Sequence, residues 1–139
     1  VNMAGKLTLV GASAGLDAAT GRATVTSRTM YLALLTVVPT ATTTPATMTE
    51  YAATGYVRQV CAMTAGSGTP RISSNTTALS FGPITGANGV TQVVGWALVS
   101  TANGTAGEAT AIGDFTTPRT PAASDSLTVA IGAITVQID

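Results

Sequence analysis

The sequence predicts an all-β protein: a single compact β-sandwich, or a partly closed barrel, of about eight short strands with at most one short N-terminal helix. Three features carry that expectation. Short runs rich in Val, Ile, Leu and Thr recur along the chain, bounded by clusters of Gly, Pro, Asn and Ser. The abundant Thr, Gly, Ala and Ser are spread among those runs rather than gathered in a tract, which favours strands and turns over disorder. Only residues 12–20 have a helix-like composition, with Ser13 placed to cap a short Ala-rich turn that ends at Gly21.

In chain order the β-like runs fall near 6–10, 22–28, 29–38, 56–63, 76–81, 90–100, 109–115 and 126–138. Met30-Tyr31-Leu32-Ala33-Leu34-Leu35 and Val93-Val94-Gly95-Trp96-Ala97-Leu98-Val99 are apolar at odd and even positions alike, the pattern of central strands covered on both faces. In the last run Leu127, Val129 and Ile131 are odd, whereas Ile134, Val136 and Ile138 are even. The inward phase therefore flips near Gly132-Ala133, and a β-bulge is the simplest expectation there. Thr40–Thr49 has no periodicity and contains Pro45, so it reads as a long surface connection between the second and third core strands. The sandwich domain is placed at 29–139, and the Gly- and Ala-rich segment 1–28 is set apart as a candidate attachment arm.

A chain of 139 residues has the length of one domain and can bury about two-thirds of its unfolded surface. Aromatics are only 4% of residues, so the core must be built from Val, Leu, Ile and Ala. Charged residues are 9%, against roughly 25% in an ordinary soluble domain, and the six basic and six acidic side chains cancel. Such a surface favours association, which suits a component of a larger assembly. Lys6, Arg22, Arg28, Arg58, Arg71 and Arg119 are scattered singly, so no nucleic-acid partner is expected. No apolar run approaches the ~20 residues of a membrane span, and none follows a charged start, so neither a membrane contact nor a secretion leader is expected.

The chemistry-bearing residues are few. Gly11-Ala12-Ser13-Ala14-Gly15 matches the G-x-S-x-G nucleophile elbow, following a strand-like Lys6–Val10. The chain has no histidine to take the serine proton, and Lys6, the only lysine, has nothing to depress its pKa. No catalytic residue is therefore assigned. The acids Asp17, Glu50, Glu108, Asp114, Asp125 and Asp139 lack calcium-loop spacing and Cys61 is alone, so no metal site, cofactor or intramolecular disulfide is expected. Cys61 reads as a small buried apolar residue, and Trp96 as a core residue. Tyr51 and Tyr56, flanking Gly55, are the better candidates for an exposed aromatic platform of a glycan-binding module. Asn75-Thr76-Thr77 and Asn103-Gly104-Thr105 read as turns. Arg58, inside a β run, is expected to pair with an acid or with backbone carbonyls at a sheet margin.

The succession Tyr31-Leu32-Ala33-Leu34-Leu35-Thr36…Pro39, Glu50-Tyr51…Gly55-Tyr56-Val57-Arg58-Gln59, Phe81-Gly82-Pro83, Val94-Gly95-Trp96-Ala97-Leu98 and Gly132-Ala133-Ile134-Thr135-Val136 resembles a family of small structural proteins of tailed-bacteriophage and prophage virions. Members carry labels such as tail fibre or minor structural protein. The resemblance spans about residues 29 to 139; at the N-terminus the family pattern has a longer amphipathic helix where this chain has its Gly-rich segment. It implies a non-enzymatic β-sandwich protein of the virion, without cofactor, bound to other virion proteins and expected to form a homo-oligomer. A compact domain without heptads or fibrous repeats favours capsid decoration (a cement protein gripping the shell through loops and strand edges), whereas the family label favours the tail. A glycan-binding adhesion module is the alternative from another class.

Overall fold

The computed structural model describes residues 3–24, 26–86 and 91–138. Its elements are β1 (Met3–Leu7), α1 (Leu9–Ala19), β2 (Tyr31–Leu35), β3 (Gln59–Val60), β4 (Arg71–Ser74), β5 (Leu79–Phe81), β6 (Val93–Val99), β7 (Ala109–Arg119), β8 (Leu127–Val129) and β9 (Ile134–Ile138). The protein is all-β with one short helix. Seven strands form one curled sheet in the order β3-β2-β6-β7-β1-β9-β4, and β5 pairs with β8 in a second, smaller sheet.

The two fully apolar runs are β2 and β6, which pair antiparallel in the middle of the large sheet. Both of their faces are buried. On one face Leu32, Leu34, Trp96 and Leu98 join Phe81 and Val129 of the small sheet in the main core. On the other, Ala33, Leu35, Ala97 and Val99 pack with Ala109 and Ile112, beneath Tyr31 and Met48. With few rings to spend, the main core is organised around Trp96, whose indole lies over two glycines. Trp96 is paired with Gly113 on β7, and Gly113 with Gly5 on β1. A Cβ on Gly5 would meet the indole at 2.3 Å, and one on Gly113 at 2.6 Å. Glycine on two neighbouring strands thus opens the slot that one large side chain fills.

Part of the 1–28 segment enters this sheet. Its strand β1 runs between β7, antiparallel, and β9, parallel. The helix starts earlier than its sequence suggests, and Thr8, not Ser13, is its cap: Thr8 Oγ1 accepts from the Gly11 amide at 3.0 Å and donates to the Ala109 carbonyl at 2.6 Å. Gly11 lets α1 lie against β7, since a Cβ there would meet the Thr110 carbonyl oxygen at 2.1 Å.

Two expectations need correction, and one strand had no counterpart in the sequence reading. The run 22–28 forms no strand among its described residues, which are exposed; β propensity alone does not hold a strand there. β4 was not foreseen, because Arg-Ile-Ser-Ser carries almost no apolar signal and is held by pairing with β9 on one side and with Thr64–Ser67 on the other. The phase flip in 126–138 is not a bulge: β8 belongs to the small sheet and β9 to the large one, and the chain changes sheet between them. Thr40–Thr49 is a connection without strand or helix, as expected, mostly at the surface but with Thr43 and Pro45 buried. Its turns are closed by the Thr40 amide donating to Thr43 Oγ1 and the Thr44 amide donating to Thr47 Oγ1.

Asn75 clamps the place where the chain changes sheet. Its side-chain amide donates to the carbonyls of Thr77 (2.8 Å) and Ala130 (2.9 Å), and its Oδ1 accepts from the Ile134 amide (2.9 Å). These bonds tie the β4–β5 crossing to the β8–β9 crossing. Asn75 is 1% exposed, whereas Thr76 and Thr77 are exposed in a bend, so the expected turn is anchored by a buried asparagine.

Candidate functional site

The most highly connected polar cluster lies at the edge of β2, where three short pieces of chain substitute for a full neighbouring strand. Beside Leu35 stands Glu50, and beside Tyr31 and Leu32 stands β3. The gap between them is closed by a side chain: the Leu34 amide donates to the Tyr56 hydroxyl at 3.0 Å, and that hydroxyl donates to Glu50 Oε1 at 2.7 Å. Arg58 completes the cluster. Its Nε and Nη2 donate to Glu50 Oε1 and Oε2 at 2.8 and 2.7 Å, its Nη1 to the Thr101 carbonyl and hydroxyl at 2.9 and 3.2 Å, and its Nη2 also to the Gly104 carbonyl at 2.8 Å.

All five guanidinium donors therefore have acceptors, two of them on one carboxylate in the fork geometry that only arginine provides. The Arg58 side chain is 3% exposed and Glu50 25%. The hydrogen bonds to Glu50 hold the guanidinium pKa above its usual value, against the opposing effect of burial. Burial raises the Tyr56 phenol far above its usual value, so it remains a donor across the physiological range. What the cluster can do is mechanical: it fixes the exposed β6–β7 loop, through Thr101 and Gly104, to the β2 edge. The acid or carbonyl partner expected for Arg58 is present in both forms.

The other candidates are dispersed. Ser13 is exposed in the second turn of α1, not at a strand-to-helix elbow, because its helix already begins at Leu9. Tyr51 and Tyr56 do not form an exposed platform. Tyr51 is 3% exposed and meets Tyr56 edge-on at 5.7 Å, and Tyr56 stacks on Phe81 at 6.0 Å. Trp96 is fully buried. Cys61 is buried too, and its thiol is pushed up to about 11 by desolvation. Asp17 and Glu108 form exposed ion pairs with Arg22 (3.5 Å) and Arg28 (2.8 Å), while Asp125 Oδ2 accepts from the Ala122 amide. Asp139 lies outside the described residues. Among the described residues no three His, Cys, Asp or Glu side chains converge as a metal would require, and no helix is long and apolar enough to cross a membrane.

Two open grooves mark the surface. One, of about 580 Å³, lies between the end of β7 and the approach to β8, lined by Phe115, Thr117, Arg119, Asp125, Ser126 and Thr128 among others. The other, of about 450 Å³, is framed by Val37, Val38 and Pro39 and by the threonines of the 40–49 turns.

With no converged reactive centre in view, the comparison with known families decides the class. Residues 7–137 match the model of the podophage GP4 fiber I protein gp80 family. The chain belongs to this family. It is thus a phage virion protein of the fibre and structural type, as the resemblance in Tyr31–Pro39 and Glu50–Gln59 implied, and its place is the virion, at the capsid surface or tail. The match begins within β1 and takes in α1, so the family extends across most of the segment set apart as an arm. No curated protein matches the chain.

Proposed function

We propose that this chain is a non-enzymatic, tail-associated fibre subunit, built to hold loops rigidly and to bind other virion proteins. The single observation that carries this is the fibre-family match across nearly the whole chain. The geometry supports it. The most elaborate polar cluster, at Arg58, serves to brace a loop, and Ser13, the one nucleophile with a catalytic-looking motif, is exposed on a helix without a base. The reading of capsid decoration rests on a different observation, the small folded unit without elongated repeats, and places the same protein on the shell.

The two readings separate on the particle. Antibody labelling of intact, tail-stripped and empty particles, with copies counted by quantitative mass spectrometry, is expected to give a few to a few dozen copies lost with the tail. Hundreds of copies retained on the stripped head would replace the tail reading with decoration, and none on any particle would refute both.

A further inference from the structure

We infer that Asn103-Gly104, in the loop that Arg58 braces, is a site of spontaneous deamidation, and that the Arg58 clamp sets its rate. Asparagine followed by glycine is the pair in which the backbone closes on the side chain with least hindrance, because glycine carries no Cβ to obstruct the approach. The chain has four asparagines, of which Asn88 and Asn103 precede glycine; Asn2 and Asn88 lie outside the described residues. The fold sets the other two apart.

Asn75 is immobilised. Its side chain is held by Thr77, Ala130 and Ile134, and the next amide, that of Thr76, donates to the Ala62 carbonyl at 2.9 Å. Asn103 is the opposite case. It is exposed in the loop between β6 and β7, which has no regular secondary structure. Among the described residues neither its side chain nor the Gly104 amide has a hydrogen-bond partner. A Cβ on Gly104 would meet nothing within 4 Å, so the place where a ring would form is open. Gly104 has a φ of +75°, which a side chain would strain, so the turn itself requires the residue that permits cyclisation.

The chemistry is an internal acyl transfer. The Gly104 backbone nitrogen gives its proton to hydroxide and attacks Asn103 Cγ. A nitrogen–carbon bond forms, the Cγ–Nδ2 bond breaks, and ammonia leaves with a proton from water, which closes a five-membered succinimide. Water then opens the ring: at Cγ this gives aspartate, and at the main-chain carbonyl it gives isoaspartate, with the backbone running through Cβ and Cγ. Asparagine plus water thus becomes aspartate or isoaspartate plus ammonia, without redox change. One acid is added to the six that balance six bases, so the net charge passes from 0 to −1.

Arg58 bears on both flanks of this step. Its Nη1 donates to the Thr101 carbonyl and its Nη2 to the Gly104 carbonyl, so the guanidinium holds the loop on either side of Asn103. Bringing the Gly104 nitrogen onto Cγ requires main-chain rotation between those two points. The ring therefore forms from the opened loop, and its rate follows the population of that state. Isoaspartate adds a main-chain atom before Gly104, which displaces the Gly104 carbonyl from Nη2. Deamidation thus releases part of the brace, irreversibly, whether the subunit sits on tail or head.

The test incubates the full chain at neutral pH, wild type beside Arg58→Lys, with wild type unfolded in urea as the unrestrained reference. Peptide mass spectrometry with electron-transfer fragmentation follows each asparagine and separates aspartate from isoaspartate. The expected result is a gain of one mass unit at Asn103, as a mixture of both products, faster as pH rises and absent at Asn75 in the folded chain. In Arg58→Lys, its fold checked by circular dichroism, conversion should be at least about fivefold faster. A second measurement needs no variant: aged wild type, fractionated by charge and identified by its fragments as the Asn103 product, should show faster hydrogen exchange at residues 100–108 than fresh protein, and it decides alone if Arg58→Lys does not fold. No conversion at Asn103 while the urea-unfolded chain converts there, equal rates in folded wild type and folded Arg58→Lys, or unchanged exchange in the aged form overturns the inference.

Discussion

Exchanging Arg58 for lysine keeps the charge and removes the fork. Lysine brings three donors where arginine brings five, so at least two of the acceptors on Glu50, Thr101 and Gly104 lose their partner. A buried polar group left unpaired costs roughly 1–3 kcal/mol. Arg58→Lys is therefore expected to cost about 3 kcal/mol, and Arg58→Met, which strands the Glu50 carboxylate, about 3–5 kcal/mol. For a chain of this length 3 kcal/mol lowers the unfolding midpoint by about 10 °C. Denaturant unfolding gives the energy, and hydrogen exchange locates it: amides of residues 100–108 should exchange faster, while those of β2 and β6 change only with global stability. A loss below about 0.5 kcal/mol with unchanged exchange in that loop would show that the five bonds do not brace it, and the mechanical reading of the cluster would fail.

Asn75→Leu keeps the branched shape of the side chain but strands the Thr77 and Ala130 carbonyls and the Ile134 amide, so denaturant unfolding should show a loss of about 3–5 kcal/mol. Gly113→Ala forces a Cβ to within 2.6 Å of the Trp96 ring and 2.8 Å of the Ala4 carbonyl oxygen. It should cost about 2–3 kcal/mol and shift the fluorescence of the single tryptophan. Cys61, with its thiol raised from 9.0 to about 11, should resist thiol reagents at pH 8. Because the folded state holds that proton more tightly than the unfolded one, stability is complete below pH 9 and falls as pH rises toward 11. Cys61→Ala should move the start of that loss up to about pH 10, where Tyr51 and Tyr56, both raised by burial, begin to contribute.

β2 and β6 were legible because burial on both faces leaves no polar position to interrupt the run. β4 was not, because its place is decided by partners: Ser73 and Ser74 sit in the sheet through pairing with Val136 and Thr135. The flip at Gly132 was visible, but its cause was not. A bulge and a change of sheet shift the phase alike, and only Asn75, 59 positions from Ile134, distinguishes them. Arg58 announced a need for acceptors without naming them, since Glu50 and Gly104 reach it across loops with no periodicity. Tyr51 and Tyr56 misled for a related reason. A Tyr-Ala-Ala-Thr-Gly-Tyr segment looks like an exposed turn, but a phenol can replace a missing strand neighbour.

The same logic explains why a chain so poor in charge has invested its few charges unevenly. Of three ion pairs among the described residues two are exposed, at Arg22 and Arg28, and pairs of that kind contribute little, about 0–1 kcal/mol. The third is buried and saturated with hydrogen bonds. A buried pair is no cheaper than apolar packing, and its advantage lies in allowing one arrangement only. Here it is aimed at the join between an incomplete strand edge and an exposed loop, while the helix on the far strands presents leucine to solvent. Rigid loops at one place and uncovered apolar side chains at another fit a structural subunit of the virion.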